Sequence, residues 1–72
     1  MAGATVQHLH TVGAGCPDIL VGYQGRNYLI EIKTEDGTLT DAQVAFIDEW
    51  RGQVCVACTP KQALGAIGIE LH

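Results

Sequence analysis

The stretch Gly15-Cys16-Pro17-Asp18-Ile19-Leu20-Val21-Gly22-Tyr23-Gln24-Gly25-Arg26-Asn27-Tyr28-Leu29-Ile30-Glu31-Ile32-Lys33 decides how this chain is read. Asp18 to Tyr23 is an apolar run of strand length, Gln24-Gly25-Arg26 is a turn, and Asn27 to Thr34 is a second strand, so the pair reads as a β-hairpin. Successive strand side chains point to opposite faces. Ile30 and Ile32 therefore share one face, and Leu29, Glu31 and Lys33 share the other. A carboxylate and an ammonium about 7 Å apart on one strand face are costly to bury unless something compensates them. The hairpin sets the start of one strand beside the end of the other, which brings Asp18 to Glu31 and Lys33.

Towards the N-terminus, Thr5 to Val12 is β-branched enough for a first strand, and Gly13-Ala14-Gly15 breaks it. Glycines just ahead of Pro17-Asp18 imply backbone that bends sharply or comes close to something. Towards the C-terminus, Glu35-Asp36-Gly37-Thr38 is a polar link. Thr40-Asp41-Ala42-Gln43 fits a capping box, with Leu39 and Val44 placed as a hydrophobic staple. The helix runs to about Arg51 with Val44, Ile47 and Trp50 on its apolar side, and Gly52 stops it. Val54 to Thr59 reads as a strand covered on both faces. Thr59 and Pro60 start a short second helix, and Ile69-Glu70-Leu71 either adds a terminal strand or trails off. The predicted order is β-β-β-α-β-α, an α/β chain of the α+β, mixed-sheet kind. Its strand-helix-strand unit from 27 to 59 predicts a right-handed crossover and a parallel pair.

At 72 residues the chain reads as one domain, of a size that buries only about 60% of its unfolded surface. Hydrophobic content of 47% and charged content of 17% suit a globular chain. No run approaches the roughly 18 apolar residues of a bilayer span, and no basic-then-apolar leader opens the sequence. Three cysteines, Cys16, Cys55 and Cys58, cannot all pair within one chain, which favours a reducing, cytoplasmic setting. Cys55 and Cys58 have C-x-x-C spacing, but on a strand they face opposite ways and no second pair completes a zinc site. Buried structural thiols are the expectation. A net charge of −4, with only Arg26, Lys33, Arg51 and Lys61 basic, excludes a broad electrostatic footprint for nucleic acid. Phosphate contact would depend on a few placed groups, a metal or a partner.

Two carboxylates with oxygen ligands and open water positions suit Mg²⁺ or Mn²⁺. Such an ion holds a phosphate and lowers the pKa of a bound water, and a lysine beside it orients that water or offsets phosphate charge. Pro17-Asp18 followed by Glu31-Ile32-Lys33 resembles the PD-(D/E)xK nuclease core. With Gly15-Cys16 ahead and Leu39-Thr40-x-x-Gln43 after, the stretch from about 10 to 64 is similar to the VRR-NUC branch. The resemblance implies a restriction-endonuclease-like core and metal-dependent hydrolysis of DNA phosphodiesters. It makes Asp18, Glu31 and the Ile32 backbone carbonyl metal ligands, Lys33 the catalytic lysine, and Gln43 a residue projecting towards the same site. It further implies a homodimer selective for branched or junction DNA, in a bacterial or phage-infected cell. Members of the branch carry a helix before the first strand; the expectation here is a short form whose first helix is missing or supplied by a partner.

Each residue also has a simpler reading. Glu31 and Lys33 suit an ordinary ion pair on a solvated face, and Asp18 suits a turn after proline. Gln43 is fully explained by the capping box, and capping and reaching the site are expected to exclude each other in one rotamer. Cys16 is expected to pack. His8 and His10 share a strand face two residues apart, which suggests metal or phosphate contact, but strand histidines are more often structural. Arg26, exposed on the hairpin turn, is a candidate DNA contact together with Lys33. Trp50 suits a core or a dimer interface. The alternative to a nuclease is a nuclease-like domain without useful catalysis that binds DNA or a protein. A nucleotide-binding domain is disfavoured because no glycine-rich strand-to-helix phosphate loop is present.

Overall fold

A computed structural model describes residues 3–34 and 36–68. Among them the chain is an α+β domain with a four-stranded mixed sheet and two helices. The elements follow in order as β1 (Thr5–His8), β2 (Ile19–Tyr23), β3 (Arg26–Ile32), α1 (Asp41–Glu49), β4 (Cys55–Ala57) and α2 (Pro60–Ala66), the order the sequence predicts. In the sheet the strands lie in chain order, with β1–β2 and β2–β3 antiparallel and β3–β4 parallel. The hairpin turn is Gln24-Gly25, whose φ values of 50° and 76° are both left-handed. This backbone pattern joins strands without splaying them. The terminal strand suggested for Ile69-Glu70-Leu71 lies outside the described residues.

Register decides which residues form the core. Ile19 pairs with Ile30 and Val21 with Tyr28, and Ile30 pairs with Cys55. Val21, Ile30 and Ala57 are buried on this face, under Ala63 and Ile67 at the second helix. Thr59 caps α2 by accepting from the Gln62 N–H, with Pro60 in the first turn. The opposite face carries Leu20, Leu29, Glu31 and Val56, since Leu20 pairs with Leu29 and Glu31 with Val56.

On this second face the structure corrects three expectations. Val56 is 41% exposed, so β4 is not covered on both sides. No residue of α1 is buried; Val44 and Trp50 are exposed and Ile47 is only half-buried. The helix is held by its ends instead. At its C-terminal end Trp50 turns extended, at φ −68° and ψ 127°, while its N–H still donates to the Phe46 carbonyl. Gly52 therefore does not stop the helix with a left-handed residue. Its lack of a side chain lets the Trp50 indole lie close, since a Cβ there would sit 2.9 Å from Nε1. The indole Nε1–H donates to the Gln53 carbonyl at 3.1 Å and the ring stacks on Phe46 at 5.1 Å.

Gln53 ties this end to the sheet. Its Oε1 accepts from the Leu29 N–H at 2.7 Å and its Nε2 donates to the Leu29 carbonyl at 3.2 Å. The side-chain amide thus imitates a strand neighbour and prolongs the β3–β4 ladder. Truncation by Gln53→Ala is expected to cost about 1–2 kcal/mol for the two hydrogen bonds. Thermal unfolding should show a midpoint lower by at least about 4 °C; an unchanged midpoint would show that water replaces the amide at no cost.

Candidate active site

Glu31 and Ile32 are inverted relative to their chemistry. The carboxylate residue is 1% exposed and the isoleucine after it 44% exposed. Alternation only sets the two on opposite faces: Glu31 points to the face that α1 approaches, while Ile32 shares the core face with Ile30 but ends β3, outside the buried cluster. A buried carboxylate needs partners. Among the described residues no buried side-chain nitrogen or oxygen lacks one.

Three segments supply the surroundings of Glu31. The first leads into β2. The β2–β3 ladder ends at the Ile19–Ile30 pair, and one residue further Asp18 replaces main-chain pairing with its side chain, Oδ2 accepting from the Ile32 N–H at 3.0 Å. The Asp18 carbonyl accepts from the Leu9 N–H at 2.8 Å, so this residue links β1, β2 and β3. The second segment is the end of β3. The Lys33 N–H donates to the Ala57 carbonyl at 3.0 Å, and its Nζ stands 3.6 Å from Glu31 Oε1. The third is the first turn of α1, where Gln43 Nε2 donates to the same Glu31 Oε1 at 2.8 Å.

The expected exclusion between capping and site roles for Gln43 is wrong. Gln43 Oε1 accepts from the Thr40 N–H at 2.9 Å while Thr40 Oγ1 accepts from the Gln43 N–H at 3.2 Å, which is a complete capping box. A side-chain amide has an acceptor end and a donor end. The carbonyl end serves the cap and the NH₂ end serves Glu31, in one rotamer.

Gly15 positions this turn. Its φ is +77°, and a Cβ there would overlap the Ala42 carbonyl oxygen and lie 2.9 Å from the Gln43 main-chain nitrogen. The close approach that the glycines imply is thus made between the loop leading to Asp18 and the start of α1. Asp18, Glu31, Lys33 and Gln43 are brought together. Of the Ile32 backbone, the N–H faces the Asp18 side chain.

Other candidates lie elsewhere. Arg26 opens β3, five positions before Glu31, or about 17 Å along the strand. His8 pairs with Ile19 and so shares the face of the core, opposite Glu31; the His8 and His10 rings, both exposed, meet edge to face at 6.3 Å. All three cysteines are free thiols. Cys16 and Cys55 are half-buried, but Cys58 is exposed, against the expectation of buried thiols, because β4 ends at Ala57. Burial pushes the Cys55 thiol pKa up.

Burial, and then the neighbouring Asp18 carboxylate, raise the Glu31 pKa above its ordinary 4.5, with Lys33 opposing them. Ile32, Gln43 and Lys33 engage Asp18 Oδ2 and Glu31 Oε1, and not the second oxygen of either carboxylate. Among the described residues no group of three or more His, Cys, Asp or Glu is placed to hold a metal. The donor set is two carboxylates. That is too few for a closed protein cage, but it suits Mg²⁺, which keeps several waters and takes one or two carboxylates with substrate phosphates. No protein-family model, curated protein or solved structure matches this chain.

Two outcomes are expected. A raised folded-state pKa means that the folded protein holds the Glu31 proton more tightly than the unfolded chain does. The resulting stability is fully present below 4.5 and is lost as pH rises through the raised value. Measured against Glu31→Gln, wild-type unfolding free energy should therefore decline across that window; a flat difference would refute the burial cost. Gly15→Ala combines left-handed strain with overlap on backbone and is expected to cost more than about 2 kcal/mol, measured by denaturant unfolding.

Proposed function

We propose that this chain is a metal-dependent deoxyribonuclease with a restriction-endonuclease-like core, of the PD-(D/E)xK type and its VRR-NUC branch. The observation that supports this reading is the meeting of Asp18, Glu31 and Lys33 at one end of the β2–β3 hairpin, with Gln43 against Glu31. Asp18, Glu31 and the Ile32 carbonyl would hold Mg²⁺ or Mn²⁺. Such an ion supplies electrostatic stabilisation of the phosphodiester and a bound water of lowered pKa.

The chain's own residues set the rest. Asp18 holds the Ile32 backbone, and so keeps the Glu31-Ile32-Lys33 segment in register with its own carboxylate. Lys33 is 22% exposed at its side chain, partly open to a bound phosphate. Its ammonium offsets negative charge there and orients the attacking water or takes part in its deprotonation. With a net charge of −4, DNA contact rests on such placed groups, with Arg26 a distant addition. The exposed apolar residues of α1, Val44 and Trp50, support a homodimer, in keeping with branched or junction DNA as substrate.

One observation favours the second reading, a nuclease-like domain that binds DNA or a protein without cutting. Glu31 is already satisfied by Gln43 and Lys33, so the arrangement is stable without an ion. Cleavage assays on junction, flap, duplex and single-stranded DNA with Mn²⁺ separate the two. Cutting is expected with wild type and should be abolished in Lys33→Ala with the fold retained. Failure to cut any form while Mn²⁺ raises the thermal midpoint would favour the second reading. The metal site itself predicts a Mg²⁺-dependent midpoint rise that Asp18→Asn removes.

A further inference from the structure

The Gln43 amide carries more than its role as a helix cap requires. A capping box needs only an acceptor at this position, and glutamate serves it as well as glutamine. Next to a helix N-terminus glutamate is the better residue, because its charge complements the helix dipole. Yet the NH₂ end of Gln43 is committed at 2.8 Å to a carboxylate in a residue that is 1% exposed. The Thr40 N–H occupies the amide oxygen, so the amide cannot flip without losing the box. Its orientation is locked, and a donor must face Glu31.

From this we infer that Gln43 is a positioning residue, a strut that runs from the α1 cap to Glu31 Oε1 and so aims the other Glu31 oxygen, Oε2, at a divalent cation shared with Asp18. The first turn of α1 is then a third wall of the site, braced from behind by the contact with Gly15. Lys33 approaches the same Oε1, so a cationic and a neutral donor gather on one oxygen, on the side of the carboxylate that α1 and the end of β3 supply. The cation half of this inference rests on the reading above; the strut itself does not.

The test uses substitutions that keep the cap and change the donor. Gln43→Glu retains the acceptor for the Thr40 N–H but sets a carboxylate against Glu31. Without divalent cations its thermal midpoint is expected to fall by several degrees, whereas a residue that only caps the helix would leave it equal or higher, which would overturn the strut. The reversed pair Glu31→Gln with Gln43→Glu restores one donor and one acceptor, and is expected to recover the midpoint beyond additivity; additive losses would overturn the inference even if Gln43→Glu alone folds poorly. Gln43→Met, which has no donor, should bind Mn²⁺ at least about tenfold more weakly, the cost typical of losing a partner behind a metal ligand. An unchanged Mn²⁺ midpoint curve in Gln43→Met would overturn the aiming role. A wild type that does not respond to millimolar Mn²⁺ would overturn the aiming role and the metal site with it, while the cation-free comparison would still decide the strut.

Discussion

The constraint on which this structure depends is the buried Glu31 carboxylate. A carboxylate removed from water is destabilising by several kcal/mol unless charge and hydrogen bonds compensate it. Here the compensation comes from Lys33 on its own strand and Gln43 on the following helix, both at Oε1. Meeting that requirement ties the first turn of α1 to the end of β3. It also fixes the loop before β2, because Gly15 packs on the same turn that carries Gln43. A strand end, a helix start and a loop are therefore held in mutual position by one charge.

The same constraint accounts for an uneven architecture. One sheet face is closed by apolar packing of α2 on Val21, Ile30 and Ala57. The other is crossed by α1, none of whose residues is buried. A nine-residue helix is too short to persist through propensity alone. Polar end contacts do the holding: the capping box with Glu31 at one end, and Trp50 on Gln53 with Gln53 on Leu29 at the other. The site thus rests on hydrogen bonds of defined direction, which suits a place where carboxylate oxygens must be aimed.

Much of this is legible in the residues. The hairpin follows from two apolar runs around Gln24-Gly25, and the helix starts from Thr40 and from Thr59-Pro60, because local backbone chemistry decides turns and caps. The nearness of Asp18 to Glu31 and Lys33 follows from hairpin register. Three of the misreadings share one cause. The exposure of α1, the single cover of β4 and the role of Gly52 all depend on how a helix sits on a sheet, and apolar spacing along a helix does not carry that. The supposed conflict at Gln43 arose from treating an amide as having one hydrogen-bonding end.

By itself the sequence determined the strands, the turn, the helix caps and the residues that could act together, since these depend on alternation and on contacts a few positions apart. Tertiary structure alone decided that Glu31 is buried while Ile32 is exposed. It alone decided that Gln43 serves cap and carboxylate at once, and that Gly15 must be glycine because a helix backbone occupies the space of its side chain. The reason is physical. Burial, hydrogen-bond direction and close approach between distant segments are set by where whole elements come to rest, and no local pattern records that.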